Sequence, residues 1–314
     1  MTRLVWPFWN AEERRLRALV RLVSHGALFG VPTALLQLLL FFVVQPLVDR
    51  DVVHLLLGVL GATVALGATA LACRWLDRRR LRDLGLRLGG RWALDCVVGF
   101  LLGAALMAAI AGAEHALGWA TYRPVALDVD RLIGMGTGLV VFIGVAISEE
   151  LVFRGYHITN LAEGMRGATV SARAAVIGAV LLSSLVFGAA HAFNPNASVI
   201  STLNIAMAGV LLAIGYLTTG ELALPIGLHL SWNFVQNLFA MPVSGQSLFH
   251  YAAAVSRHED GPDWITGGAF GPEAGLTGLI AMCVGATAIL GYSRVVEGRT
   301  GLHPALLGDP PRVL

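Results

Sequence analysis

Long apolar runs separated by short polar segments dominate the chain. Spanning a bilayer takes about 20 apolar residues of helix, at a rise of about 1.5 Å each. Runs of this kind lie near 27–48, 52–75, 93–114, 131–153, 174–192, 198–218, 222–240 and 276–295. The run at 222–240 carries the most polar side chains. The pattern predicts an all-α membrane protein, a bundle of about eight transmembrane helices forming one polytopic domain over 1–314.

The N-terminal segment, residues 1–26, has a different pattern. Arginines alternate with apolar positions here, and Trp6, Phe8 and Trp9 are aromatic residues of the type found at membrane interfaces. We expect an amphipathic helix over 1–22 that lies in the interface. The apolar run that follows is longer than a signal-peptide core, so it is expected to remain as the first membrane helix.

Composition agrees with a membrane protein. Hydrophobic residues make up 56% of the 314 residues, charged residues 13%, and the mean hydropathy is +0.71. A soluble domain has about 25% charged residues. The net charge of +2 gives no reason to expect a nucleic-acid partner. The three cysteines, Cys73, Cys96 and Cys283, form no CxxC and predict neither a disulfide framework nor a zinc ribbon.

The arginines predict an orientation. Every basic residue is Arg, which indicates a composition bias of the source genome and suggests a bacterial inner or plasma membrane. With the N-terminus inside, 18 of the 22 arginines fall on the inner segments and 4 on the outer ones. Cytoplasmic segments of membrane proteins carry such an excess. Both termini are therefore expected to be cytoplasmic.

Three clusters of polar residues interrupt the apolar runs between 131 and 240, where ionisable groups are costly and usually functional. In the first, Glu149 and Glu150 are adjacent, and Arg154 follows Glu150 by four residues, the spacing of a same-face ion pair. One glutamate can then be held by Arg154 while its neighbour remains free for chemistry. The alternative is that both merely mark a helix end.

The second and third clusters add a histidine and a pair of hydrogen-bond donors. Phe187 and His191 lie four residues apart, as do His229 and Asn233, so each pair shares a helix face. A base for water and donors for an oxyanion are what amide hydrolysis requires. Alternatively, each pair is polar glue between helices. Ser183, Ser184 and Ser231 do not lie beside a histidine in helical register, which argues against a covalent nucleophile.

At these residues the sequence resembles the CPBP family, which covers the type II CAAX prenyl endopeptidases and their bacterial Abi relatives. The family motifs are EExxxR, FxxxH and HxxxN. Here they correspond to Glu149–Arg154, Phe187–His191 and His229–Asn233, in the same order and without a departure. The resemblance covers about 145–240, a third of the chain, within catalytic helices expected over 131–240.

The resemblance implies an intramembrane endopeptidase with a defined role for each motif residue. Glu149 and His191 would activate a water, and His229 and Asn233 would form the oxyanion hole. The supporting residues would be Glu150, Arg154 and Phe187. The substrate would be a peptide or membrane protein, with or without a lipidated tail.

Three alternatives remain open. Members of the family have also been described as metalloproteases, and Glu149, His191 and His229 are the residues that would hold zinc. The absence of HExxH favours a glutamate mechanism without a metal cofactor. A non-catalytic membrane scaffold, such as a bacteriocin self-immunity protein, would use the same polar cavity. A transporter or proton relay is less well supported, because the chain has no internal repeat.

Counting residues along the helices gives one difficulty. If the fourth helix continues to about residue 164, Glu149 lies roughly 22 Å and His191 roughly 25 Å above the same turn. His229 is only about 10 Å into its own helix. Helix tilt or a turn embedded in the membrane is needed to bring His229 level with the other two.

Overall fold

The apolar runs form long helices that pass from one face of the molecule to the other. The computed structural model describes residues 8–11, 13–247 and 252–308. Seven of the helices in these residues are long and apolar enough to cross a membrane, which confirms the all-α membrane bundle. Trp6 of the expected interfacial helix lies outside the described residues. So do Arg3 and Arg312, which are two of the 18 arginines on the inner segments.

The elements are mostly helices, with a few short strands between them. In order they are β1 (Trp9–Asn10), β2 (Arg15–Leu16), α1 (Ala18–Leu39), α2 (Arg50–Ala72), α3 (Gly90–Ala116), β3 (Ala120–Pro124), α4 (Val129–Glu149), α5 (Ile158–Met165), α6 (Ala172–Ala190), α7 (Val199–Thr219), α8 (Ala223–Leu238), β4 (Val255–Glu259), α9 (Asp263–Thr266), α10 (Leu276–Glu297) and α11 (Pro304–Leu307). π-helical segments extend α1 over Leu40–Val44 and α2 over Cys73–Asp77, and a third, Glu150–His157, joins α4 to α5.

The bundle has two distinct ends. We call the end where α1, α6 and α8 begin the terminal face, because α11 packs there and the His303 N–H donates to the Leu217 carbonyl at 2.7 Å. The other end is the loop face. It carries the antiparallel ribbon of β3 and β4, in which Ala120 pairs with Glu259 and Pro124 with Val255.

The interfacial helix expected over 1–22 is wrong for the described residues. Trp9–Asn10 and Arg15–Leu16 pair as a short antiparallel ribbon, and α1 begins only at Ala18. Buried ion pairs account for the difference. Arg15 lies 3.0 Å from Glu163, and Arg21 lies 3.1 Å from both Asp77 and Glu163. Arg15 and Arg21 thus enter the bundle instead of lying among lipid headgroups.

The expected span at 222–240 forms a shorter, interior helix. α8 has 16 residues, most of them buried. At about 1.5 Å per residue it is roughly 24 Å long, less than a bilayer needs. The start of α8 lies inside the bundle, below the residues that cover the terminal face. There the Leu222 N–H donates to the Gly85 carbonyl at 2.9 Å, and a side chain on Gly220 would contact His303. This recessed start supplies the extra depth that His229 required.

Close packing of α3 on α8 fixes the position of the interior helix. A Cβ on Gly103 of α3 would collide with Ser231 Oγ and the Leu228 carbonyl of α8. Small residues allow this kind of backbone approach between membrane helices. Gly112, on the same helix, has nothing within 4 Å of the corresponding position.

Gly103→Ala is therefore expected to destabilise the bundle by about 1–3 kcal/mol, the usual effect of overpacking. Gly112→Ala is the matched control, and helix propensity predicts that it is neutral or stabilising by up to about 1 kcal/mol. Unfolding in mixed micelles with increasing SDS measures both. Equal stabilities of the two variants would contradict the close approach of α3 and α8.

Candidate active site

The two glutamates lie where α4 changes to the π-helical segment Glu150–His157. Glu149 is the last residue of α4, and its side chain is 27% exposed. Glu150 begins the π-helical segment and is fully buried. π-helical turns frequently occur at functional sites. On the opposite side, the Ser183 hydroxyl of α6 donates to the Phe153 carbonyl at 2.7 Å and fixes this segment against α6.

Glu150 is at the centre of a buried charged group. Its Oε1 lies 3.1 Å from Arg154 NH1 and 2.8 Å from His229 Nδ1. All three side chains are at most 9% exposed. Arg154 is four residues after Glu150, as the sequence spacing suggested, and its guanidinium lies 4.1 Å above the Phe187 ring. Glu150 is thus held between Arg154 and His229 through Oε1. Glu149 is the carboxylate that lines the cavity.

His229 links the two glutamates. Nδ1 contacts Glu150, and Nε2 lies 3.8 Å from Glu149 Oε2. Nε2 can donate a hydrogen bond in two states that share one proton with Glu150. Either the ring is an imidazolium beside a carboxylate, or the neutral ring carries its hydrogen on Nε2 and accepts at Nδ1 a hydrogen bond from a protonated Glu150.

His191 is held in a different tautomer. It caps the C-terminus of α6, and its Nδ1 lies 2.8 Å from the Phe187 carbonyl. A carbonyl oxygen can only accept, so Nδ1 carries the hydrogen and Nε2 of the neutral ring has the lone pair. The Phe187 ring lies edge-on to His191 at 4.7 Å and to His229 at 6.4 Å between centroids. Phe187 therefore separates the two imidazoles and positions both.

All four expected catalytic side chains line one cavity of about 160 Å³. Glu149 comes from α4 and His191 from α6, while His229 and Asn233 lie one turn apart on α8. Asn237, one turn further along α8, also lines it. The structure thus brings together three sequence segments separated by about 40 residues each into one polar site inside an apolar bundle.

The cavity is closed towards the terminal face. The buried cluster that includes Leu151, Tyr156, Leu222 and Ile226 fills the bundle on that side of the glutamates. Towards the loop face the lining residues are partly exposed; they are Asn194, Val243, Ser244 and Gln246. The cavity therefore opens towards the loop face.

The zinc alternative does not fit the side chains as they lie. Among the described residues, no group of three or more His, Cys, Asp and Glu side chains could hold a metal ion. A mechanism without a metal cofactor remains a prediction, and no step is derived through zinc.

One lining residue escaped the sequence analysis. Glu273 is buried in the wall of the same cavity, in the turn Pro272–Ala274 before α10. Proline followed by glutamate, as at Pro272 and Glu273, is a pattern typical of a helix start, whereas α10 begins only at Leu276. The available signal was a carboxylate in the glycine-rich stretch 267–275, far along the chain from the three motifs.

Comparison with known proteins gives a family match over a third of the chain. Residues 132–235 match the family model of the type II CAAX prenyl endopeptidase Rce1-like proteins. No curated protein and no solved structure matches the chain. The matched segment contains every motif residue and ends before Glu273. The match supports the family predicted from the three motifs and, in general terms, a protease activity. The seven apolar helices support an integral membrane protein.

Proposed function

We propose that the protein is an intramembrane endopeptidase that hydrolyses a peptide bond with a water activated by Glu149 and His191. The observation that carries the proposal is the shared cavity, in which both of these residues face His229 and Asn233. A catalytic base and oxyanion donors at one point are the minimum set for amide hydrolysis. The family match supports the same reaction class.

Two acceptors in the cavity can take a proton from a water molecule. Glu149 carboxylate and the Nε2 lone pair of His191 both accept hydrogen bonds from a water in the cavity. One of them takes a proton as the water oxygen attacks the substrate carbonyl carbon. The same proton then passes to the leaving nitrogen as the C–N bond breaks, so the products are a carboxylic acid and an amine. General acid–base catalysis of this kind contributes about 10²–10⁴ in rate.

His229 and Asn233 stabilise the negative charge on the carbonyl oxygen. The Asn233 amide group donates directly, and its side chain lies in the wall, 8% exposed. His229 donates from Nε2 when the ring is an imidazolium beside the Glu150 carboxylate, or when a protonated Glu150 donates to Nδ1, 2.8 Å away. Arg154 keeps Glu150 in place at 3.1 Å. The ion pair therefore acts on the reaction through the orientation of the imidazole.

Asn233→Ala is expected to lower kcat by about 10²–10³ with little change in KM, the usual loss on removing one oxyanion donor. Asn237→Ala is the matched control, because Asn237 lies one turn away on the same helix and lines the same cavity. Steady-state cleavage of a reconstituted substrate separates the two parameters. A similar loss in both variants would contradict a specific oxyanion role for Asn233.

We also propose that the terminal face is cytoplasmic and that the cavity opens on the outer half of the membrane. The excess of arginine on segments of the terminal face supports this orientation. Substrates would then be exported peptides or outer segments of membrane proteins. Single cysteines at Ser247 and Arg299 test the orientation with a membrane-impermeant maleimide in intact cells. Labelling at Arg299→Cys and not at Ser247→Cys would overturn it.

The function itself is tested by comparing protein termini in membranes from cells that express the wild type or Glu149→Gln. New termini that depend on Glu149 would establish proteolysis and identify substrates at once. Identical termini, together with rescue of a deletion phenotype by Glu149→Gln, would instead favour a non-catalytic scaffold.

A further inference from the structure

The glycine-rich stretch 267–275 folds tightly against α8 and carries one carboxylate into the cavity wall. Gly271 has φ +106°, and a Cβ there would collide with the Pro242 carbonyl and lie 2.8 Å from Glu273 Oε2. A Cβ on Gly267 would collide with the Gly271 carbonyl. Side chains at these positions would force the turn away from α8. The stretch is thus shaped to place Glu273, which is 3% exposed.

Within the described residues, one oxygen of Glu273 has a hydrogen-bond partner and the other has none. Gln236 Nε2 of α8 donates to Oε2 at 2.9 Å, and the Trp232 indole and the Ser244 backbone N–H also face the carboxyl group. The second oxygen, Oε1, is buried and has no hydrogen-bond partner in the described residues. A buried acceptor without a partner is costly, and this one lies in the wall of the active-site cavity.

Glu273 also differs from every other buried acid in the described part of the chain. The other four each contact an arginine: Asp77 with Arg21, Asp95 with Arg91, Glu114 with Arg257, and Glu150 with Arg154. No arginine or histidine of the described residues pairs with Glu273. Burial raises the pKa of its carboxyl to about 7. A cation entering the cavity would find a carboxylate with one open oxygen.

The position of Glu273 relative to the reacting atoms follows from α8. Its partners Trp232 and Gln236 lie three and seven residues after His229. At about 1.5 Å per residue, that is roughly 5–10 Å further towards the loop face. An extended peptide advances about 3.3 Å per residue. Glu273 therefore lies level with a substrate residue two or three positions from the scissile bond.

We propose that Glu273 forms a subsite that binds an ammonium or guanidinium group of the substrate, two or three residues from the bond that is cleaved. This proposal rests on the proposed function, because it takes the bound molecule to be the substrate. It adds the chemical class of the group that the site binds. Two sources carry that chemistry, a free N-terminus and a Lys or Arg side chain. Gln236 orients Glu273 by donating to Oε2 at 2.9 Å, which leaves Oε1 for the ligand.

Binding is tested without turnover, so that failure of the subsite is distinguished from failure of the protease. The protein is the full chain carrying Glu149→Gln in nanodiscs, and the probes are hexylammonium and its neutral counterpart hexanol. We expect Glu273→Gln to weaken hexylammonium binding about 10- to 100-fold, the range for a hydrogen bond to a charged group, and to leave hexanol unchanged. Glu297→Gln, on the terminal face, is the matched control.

A merely structural clamp between Glu273 and α8 gives a different result. Both probes would then lose affinity equally in Glu273→Gln, which would overturn the subsite. If that variant does not fold, infrared titration of the parent protein decides the question, because bound hexylammonium must convert the Glu273 carboxyl to carboxylate near pH 7. No change in the carboxyl band on saturation would also overturn it.

Peptides resolve the source of the cation once a cleaved sequence is known. In the active enzyme with Glu273 intact, acetylating the N-terminus, or replacing a Lys or Arg near the scissile bond by Gln, should raise KM about 10- to 100-fold. In Glu273→Gln the same change should have little effect. Whichever change has this effect identifies the group that Glu273 binds. Equal KM for all these peptides in the active enzyme would overturn the subsite while leaving the protease intact.

Discussion

Glu149→Gln is expected to lower kcat by about 10²–10⁴ while the protein folds normally, because general-base catalysis of this size is lost with the carboxylate. Glutamine keeps the shape of the side chain but cannot accept a proton from water. The substitution leaves the buried group around Glu150 intact, since Glu149 Oε2 is no closer than 3.8 Å to His229 Nε2. Single-turnover cleavage in liposomes measures the chemical step directly.

His191→Gln completes this test. If Glu149 and His191 activate the same water, the double variant should be hardly slower than either single variant, because residues that act as a unit are not additive. Glu297→Gln, remote from the cavity, is the control for removing a carboxylate. Wild-type turnover in Glu149→Gln would remove this glutamate from the mechanism, and full additivity would mean that the two residues act in separate steps.

Much of the bundle was predictable because hydrophobicity alone determines where a chain crosses a bilayer. The runs that became α2, α3, α6, α7 and α10 are visible without any packing information. The three polar clusters were equally visible, since ionisable groups are rare inside such runs. Their meeting in one cavity was expected from the family resemblance, and Glu149, His191 and His229 do line one cavity.

Long-range partners explain what the sequence could not predict. The arginines near the N-terminus look like interfacial residues until Asp77 and Glu163, far along the chain, are placed beside Arg21. The depth of His229 likewise depends on a turn recessed under Gly85, a contact across more than 130 residues. The glycine-rich stretch around Glu273 is visible in the sequence, but the packing of this turn on α8, which buries the carboxylate, is not.

Arg154→Met is expected to destabilise the protein by about 3–5 kcal/mol, the usual effect of leaving one partner of a buried ion pair without the other. Arg154 and Glu150 are 2% and 0% exposed, so water cannot compensate for the lost guanidinium. Arg87→Met is the matched control. Its pair with Glu221 at 2.7 Å has an arginine 45% exposed, and pairs of this kind contribute about 1 kcal/mol or less. SDS unfolding in mixed micelles compares the two.

Adding Glu150→Gln to Arg154→Met separates stability from catalysis. The double variant has no unpaired buried charge, so most of the lost stability should return, since neutral replacements of buried ion pairs are often tolerated. Activity should not return, because an amide in place of the carboxyl group cannot share a proton with His229 Nδ1 as Glu150 does at 2.8 Å. Recovery of both would show that the ion pair serves only packing. If neither stability nor activity returns, Arg154 contributes through its contact with the Phe187 ring, at 4.1 Å. That ring lies edge-on to both imidazoles.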